Sequence, residues 1–196
     1  MYVVYNELNH AIIFDPGCYA SAEQQMLKDF VSQNNLTPTR LINTHCHIDH
    51  VLGNPFVFKT YGLLPEFHKQ ELSLLQAVES YGQMWGIQSE LQPEPISFLN
   101  EDDKIKLDED EFEIRFTPGH SPASLCFINH ANKWIIGGDV LFYQSIGRTD
   151  LPGGDSKTLI QSIKNELFTL PDDYTVFSGH GPSTNIGFEK QNNPYV

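Results

Sequence analysis

Apolar residues along this chain come in short bursts separated by glycine, proline and asparagine, and their period changes from burst to burst. Tyr2-Val3-Val4-Tyr5-Asn6 and Ala11-Ile12-Ile13-Phe14-Asp15 predict two strands, over residues 2–6 and 11–15, joined as a hairpin at Asn9-His10. Ser21 and Gln24 have the spacing of a capping box. Met26, Leu27, Phe30 and Val31 then recur at helical spacing, so a helix is expected from Ser21 to about Asn34. Arg40-Leu41-Ile42-Asn43 reads as a buried strand. A short helix over residues 54–61, a strand over 64–68 and a second long helix over 69–81 follow, and residues 82–103 read as loop.

The second half repeats this logic. Strands are expected over 104–107, 111–117, 124–129 and 133–138. The loop 145–154 leads to a helix over about 157–167, and Thr175-Val176-Phe177-Ser178 is the last strand. Both halves therefore run strands then helix, without detectable sequence identity. Alternating runs mixed with continuous ones suit two sheets packed face to face with helices outside, within a single domain spanning residues 1–196.

Composition narrows the function. Hydrophobic content is 40%, and no segment approaches the roughly 20 apolar residues of a membrane helix. No signal peptide precedes the first strand. A net charge of −13 repels phosphate backbones, which disfavours nucleic acid as a partner. Three cysteines, Cys18, Cys46 and Cys126, are an odd and sparse set that suits a reducing cytoplasm better than a disulfide framework. Each is expected to be a small buried residue.

Chemistry concentrates at the ends of the apolar runs. Thr44-His45-Cys46-His47-Ile48-Asp49-His50 packs three histidines and a carboxylate into six residues, from His45 to His50. Thr117-Pro118-Gly119-His120, Gly137-Gly138-Asp139 and Ser178-Gly179-His180-Gly181-Pro182 each add one more donor beside glycine or proline. Nitrogen and oxygen donors of this kind suit borderline divalent metals. In an extended segment His45 and His47 share a face while Cys46 points away. Asp49 and His50 follow where a helix should begin, at Ile48 or Asp49. The simplest partition puts His45, His47 and His120 on one ion, puts Asp49, His50 and His180 on a second, and lets Asp139 bridge them. Five of the eight histidines belong to this pattern. His10, His68 and His130 lie outside it and read as surface or turn residues.

These motifs resemble the metallo-beta-lactamase superfamily, over nearly the whole chain from Asp15-Pro16-Gly17 to His180-Gly181-Pro182. Thr-His-Cys-His-x-Asp-His, Thr-Pro-Gly-His-Ser, Gly-Asp-x-Leu-Phe and Gly-His-Gly-Pro are similar to its glyoxalase II (hydroxyacylglutathione hydrolase) branch. The resemblance implies an αββα sandwich with a dinuclear site at the rim of the two sheets, and the ligand partition given above. It also implies that Asp15 supports the ligands from behind. The helical domain that glyoxalase II carries at its C-terminus has no counterpart after His180. The loop Ser145-Ile146-Gly147-Arg148-Thr149-Asp150 replaces the Lys-Phe-Tyr type of sequence and is similar to small single-domain bacterial relatives. Relatives also have one more strand ahead of the segment matching Tyr2-Val3-Val4-Tyr5. Either an earlier natural start or an open edge able to pair with another chain is expected there. The oligomeric state is left open.

The expected reaction is hydrolysis of a small thioester or ester, such as S-lactoylglutathione, by a hydroxide generated at two divalent ions. Zinc is the first candidate; iron and manganese accept the same donors. Asp49 orients the nucleophile and helps to hold the second ion. Arg148 and Tyr143 are the candidate substrate residues. A thiolate leaves readily at a thiol pKa of about 8.5, so no separate general acid is needed. The first alternative is persulfide dioxygenation, since the Gly147-Arg148-Thr149-Asp150 run also occurs in persulfide dioxygenases. It needs one iron on His45, His120 and Asp139. Beta-lactam hydrolysis is disfavoured because many enzymes of that branch have cysteine where Asp139 sits. The second alternative is a metal-stabilised binding protein without turnover.

Overall fold

A computed structural model describes residues 1–196. The chain forms two compact units, residues 1–99 with 107–109, and residues 100–106 with 110–196.

The first unit carries a five-stranded sheet in the order β1-β2-β3-β4-β5. β1 (Tyr2–Tyr5) and β2 (His10–Phe14) form the expected hairpin, with Tyr2 opposite Phe14 and Asn9 at φ 64° in the turn. The remaining pairs are parallel, so each needs a crossover. The helix α1 (Ser21–Gln33) returns the chain to β3 (Thr37–Ile42). A one-turn helix α2 (Ile48–Val51) and α3 (Asn54–Tyr61) lead to β4 (Pro65–Phe67), and α4 (Leu72–Trp85) leads to β5 (Ser97–Phe98). The run Ala11–Phe14 is buried throughout, as an interior strand of a parallel sheet should be. Ala11, Ile13, Leu27, Val31, Leu41 and Val57 pack in one cluster; Cys46, Ile48, Val51, Phe67, Leu75 and Val78 pack in another.

Several local expectations shift. Ala20, not Ser21, caps α1, and Glu23 takes the part assigned to Gln24: its Oε2 accepts the N–H groups of Tyr19 and Ala20, both at 2.9 Å. Of the four apolar residues on that helix only Leu27 and Val31 enter the core. Met26 is 70% exposed, and Phe30 is 40% exposed with its ring edge-on to Tyr5. The second long helix begins with a 3-10 turn over Lys69–Glu71 and runs on to Trp85, stopped by Gly86 at φ 71°. His68 is buried and is the turn residue of the two readings expected for it: its Nδ1 accepts the Gln70 N–H and caps that turn.

The second unit carries a six-stranded sheet in the order β13-β12-β9-β8-β7-β6. Its strands are β6 (Lys104–Leu107), β7 (Asp110–Phe116), β8 (Leu125–Asn129) and β9 (Trp134–Gly138), then β12 (Thr175–Ser178) and β13 (Thr184–Asn185). Between them β10 (Leu141–Phe142) and β11 (Ser145–Ile146) form a small hairpin, and α5 (Ser156–Ser162) continues as a π-helical turn over Ile163–Leu167. This helix makes the crossover needed by the parallel pair β9 and β12. A last helix, α6 (Ile186–Asn192), ends the chain. Cys126, Ile128, Ile135, Leu159, Ile163 and Val176 centre the core.

The hairpin β10–β11, strand β13 and α6 were not expected from the sequence. They are too short to show a period and are held by side chains. Asn185 caps α6 by accepting the Phe188 N–H at 2.8 Å. Glu189 is buried, and its carboxylate accepts the Gln144 N–H at 3.1 Å, the Asn193 amide at 2.8 Å and the Thr184 hydroxyl. Gln144 sits at φ 52° at the hairpin tip, so α6 fixes that tip. The architecture is mixed α/β, with sheets flanked by helices. No helix is long and apolar enough to cross a membrane.

Candidate metal centre

In the first unit the donors follow β3. The last ladder-like bond is Asn43 N–H to Glu66 O, at 3.0 Å; beyond it the chain leaves the sheet. Backbone donors there must be satisfied by side chains. Asp15 Oδ1 accepts the Thr44 N–H, and Asp15 Oδ2 accepts the Thr44 hydroxyl, both at 2.7 Å. That hydroxyl, its proton committed to Asp15, can only accept from His45 Nδ1, at 3.0 Å. Asp15 Oδ2 also accepts from His50 Nδ1, at 3.1 Å. One buried carboxylate thus fixes two tautomers: both rings keep the proton on Nδ1 and offer the Nε2 lone pair. Asp15 thus spends both its oxygens on hydrogen bonds to Thr44 and His50, although it also lies within reach of a metal shared with His45 and His50.

The rings of His45 and His50 lie 4.1 Å apart between centroids, and those of His45 and His47 lie 4.8 Å apart, nearly perpendicular. His47 stands at the N-cap of α2, with extended backbone. Asp49 follows in the first turn of α2, its Oδ2 at 3.6 Å from His50 Nε2. Its side chain is 51% exposed, while His45 and His50 are buried. Two glycines let residues 15–17 lie against α2. A Cβ on Gly17 would fall 2.0 Å from Asp49 O, and one on Gly53 would fall 2.3 Å from Pro16 O.

In the second unit His120 lies after β7, in a turn closed by Thr117 N–H to Ser124 O and Gly119 N–H to Ser121 O. Gly119 has φ 125°, and its missing Cβ leaves room for the backbone of Leu159 on α5. His120 Nδ1 donates to Arg148 O at 2.7 Å, because a carbonyl can only accept. Its Nε2 therefore carries the lone pair, and it faces Asp139 Oδ2 at 3.6 Å. Asp139 follows β9 after Gly138, which sits at φ 49°. The same Oδ2 lies 3.5 Å from His180 Nε2, on the loop after β12. His180 is 57% exposed at its side chain, with its ring edge-on to Phe142.

These separations exceed hydrogen-bonding distance. Two N/O donors each about 2.0–2.2 Å from one ion, at a near-tetrahedral angle, stand about 3.3–3.6 Å apart. The spacing around Asp139 therefore fits metal ligation, and a single carboxylate oxygen near two imidazole nitrogens fits a bridge. The donors are nitrogen and oxygen only. All three cysteines are buried and free; burial raises the thiol of Cys46 well above its ordinary range and that of Cys126 to about 12.

The substrate candidates sit at the hairpin and just after it. Tyr143 is exposed and stacks on Phe188 of α6, ring centroids 5.1 Å apart. The guanidinium of Arg148 is bidentate on Asp150 at 2.7 and 2.8 Å, on the surface. This pair draws the Asp150 carboxyl down to about 2, chiefly through the hydrogen bond from Arg148. The sequence reading missed the Arg148 carbonyl and Gly147. A Cβ on Gly147 would lie 1.9 Å from Asp139 O and 3.0 Å from His120 Nδ1. It also missed the Thr44 hydroxyl and Glu71, a buried carboxylate that accepts the Cys46 N–H at 2.9 Å. The repeated glycines at positions 17, 53 and 147 beside ligand loops were the one available signal.

Comparison with known proteins agrees with this geometry. The pattern of the metallo-beta-lactamase superfamily matches residues 1–180. A hydroxyacylglutathione hydrolase of Haemophilus influenzae, GloC, is 35% identical over 196 residues, covering 99% of this chain and 91% of its own. Among solved structures, the BLEG-1 B3 metallo-beta-lactamase superposes with a TM-score of 0.90 at 35% identity, over 98% of this chain and 91% of that one. TTHA1623 in a di-iron-bound form superposes with a TM-score of 0.87 at 31% identity, over 100% and 93%. With the histidine and aspartate donors set as described, these matches establish that the chain belongs to the metallo-beta-lactamase superfamily.

Proposed function

We propose that this protein is a metal-dependent hydrolase of small thioesters, working through a dinuclear metal centre. The observation that carries the reading is Asp139, whose Oδ2 stands 3.6 and 3.5 Å from the Nε2 atoms of His120 and His180. His45, His47 and His120 would hold one divalent ion, and Asp49, His50 and His180 the other, with Asp139 shared. Zinc is the metal we assign first; the di-iron form of TTHA1623 supports iron as the competitor. When bound, such ions lower the pKa of water toward neutrality and polarise a carbonyl.

The chain's own residues supply the rest. The Thr44 hydroxyl, itself donating to Asp15, holds the imidazole of His45, Asp15 holds that of His50 and Arg148 O that of His120, each in the tautomer that would ligate. Asp49 would accept a hydrogen bond from the attacking water and aim it, a role supported by its half-exposed carboxylate beside buried His50. Tyr143, stacked on Phe188, offers an apolar platform for the acyl or thiol part of the substrate. Arg148 meets a substrate carboxylate by exchanging it for Asp150. Both partners are exposed and solvent screens their attraction, so the exchange is easily made. The relative named hydroxyacylglutathione hydrolase supports a glutathione thioester such as S-lactoylglutathione as the first substrate to try. The cytoplasm, where such thioesters and free thiols coexist, is the location we assign.

The test joins metal content to activity. The purified protein is analysed for zinc, iron and manganese, then assayed for S-D-lactoylglutathione hydrolysis, for hydrolysis of a chromogenic cephalosporin, and for oxygen uptake with glutathione persulfide. Close to two metals per chain with thioester turnover and no oxygen uptake is the expected result. One iron per chain with oxygen uptake would replace the hydrolase by a dioxygenase, and dominant cephalosporin turnover would replace the substrate class.

A further inference from the structure

The backbone between β3 and α2 presents its N–H groups where no strand pairs with them, and two carboxylates take them. Asp15 Oδ1 accepts from Thr44 N at 2.7 Å, and Glu71 Oε2 accepts from Cys46 N at 2.9 Å. The two anchored residues alternate with His45 and His47. A segment that bends at Thr44-His45 and is gripped at 44 and 46 has its freedom removed at the peptides that flank each of those imidazoles. Glu71 is fully buried, at 0% exposure, and stands at the junction of the 3-10 turn Lys69–Glu71 with α4. A carboxylate in that setting is costly to maintain unless its hydrogen bonds are made.

We infer that Glu71 is a positioning residue for the metal centre. It acts through the Cys46 N–H to set the spacing of His45 and His47, as Asp15 acts from the other end through Thr44. No motif marks it in the sequence, since it lies more than twenty positions downstream in a polar stretch, His68-Lys69-Gln70-Glu71. The inference rests on the proposed ligand role of His45 and His47, and it does not depend on the substrate.

The test is cobalt(II) affinity, measured by competition with a chromophoric chelator, together with the visible absorption of the cobalt protein. Three variants are compared with the wild type, each checked for folding by circular dichroism. Glu71→Gln keeps an oxygen that can accept from Cys46. Glu71→Asp withdraws the oxygens by one methylene, about 1.5 Å. Glu71→Ala removes the acceptor. Loss of an outer partner of a metal ligand typically weakens binding 10–100-fold. That loss is expected for Glu71→Ala and, in smaller measure, for Glu71→Asp, with an altered cobalt spectrum. Glu71→Gln is expected within about threefold of wild type on the same scale. If Glu71→Ala does not fold, the ordering of Gln above Asp carries the result. Wild-type affinity and spectrum in Glu71→Asp would overturn the inference, and so would a Gln variant as weak as Asp. A wild-type protein that takes up no cobalt would overturn both this inference and the dinuclear centre. Cobalt uptake without thioester turnover would count against the substrate alone, and the ranking of the variants would still decide the role of Glu71.

Discussion

Substituting Gly147 by alanine adds one methyl group at the narrowest point behind the proposed ligands. The new Cβ would stand 1.9 Å from the Asp139 carbonyl oxygen, 3.0 Å from its carbon and 3.0 Å from His120 Nδ1. A carbon normally approaches a carbonyl oxygen no closer than about 3.3 Å, so the overlap is about 1.4 Å. Backbone faces backbone here, and no side chain can rotate away. Either the Gly147-Arg148 segment retreats, which withdraws Arg148 O from His120, or Asp139 moves. Overpacking of this kind costs about 1–3 kcal/mol. In a chain of this length that lowers Tm by about 2–12 °C. A displacement near 1 Å in a catalytic group costs about a hundredfold in rate. The assay is kcat/KM for thioester hydrolysis well below the variant's Tm with metal in excess, alongside chelator competition. The expected outcome is a loss near two orders of magnitude in kcat/KM and weaker metal retention. A variant with unchanged kcat/KM, metal affinity and Tm would refute the argument that this loop braces the ligands.

Other perturbations probe the remaining parts. Asp15→Asn replaces an acceptor oxygen by an N–H₂ that cannot serve the Thr44 hydroxyl, Thr44 N–H and His50 Nδ1 together; a loss of about 1–3 kcal/mol in urea unfolding and 10–100-fold in metal affinity is expected, and no change in either would remove Asp15 from its orienting role. Stripping the metal should lower Tm reversibly, since a ligand at a thousandfold its Kd stabilises by about 4 kcal/mol; identical melting with and without chelator would contradict a bound metal. Burial raises the Cys126 thiol from 9.0 to about 12, so the unfolded chain loses that proton first. Stability from this group is complete below pH 9 and is lost as pH rises toward 12, by about 1.4 kcal/mol per unit, a slope that Cys126→Ala should reduce in alkaline urea titrations. Tyr143→Ala should raise KM several-fold and leave metal affinity unchanged, with loss of the stack on Phe188 costing about 0.5–1.5 kcal/mol; an unaltered KM would take Tyr143 out of the substrate platform.

Most strands and the long helices were legible because each carries enough residues for a period to show. Helix α3 lies where it was expected, over Asn54–Tyr61, and α2 opens at Ile48, one of the two residues foreseen. What escaped was short or held by side chains. The hairpin at 141–146 has two residues per strand, and α6 depends on Glu189, whose burial no local pattern announces. Propensity failed on α1, where four apolar residues at helical spacing suggested a broad face and only two are covered. Within the site, donors clustered in sequence or flanked by glycine could be found by eye. The groups that orient them could not, because Glu71 and the Arg148 carbonyl reach their partners through space from remote positions.

The bond between Glu189 and Gln144 separates two kinds of change that enzymes usually find entangled. Tyr143 takes its place from a helix at the very end of the chain, whereas Asp15, Thr44 and Glu71 fix their histidines from the other unit. A library randomised around Phe188 and Lys190 would therefore remodel the surroundings of Tyr143, the proposed substrate platform, while leaving His45 and His50 as they are. The same link gives α6 a reach beyond its own turns: loosening it would release Gln144 and Phe188 and so disturb Tyr143, and a change in selectivity that followed would not implicate the metal.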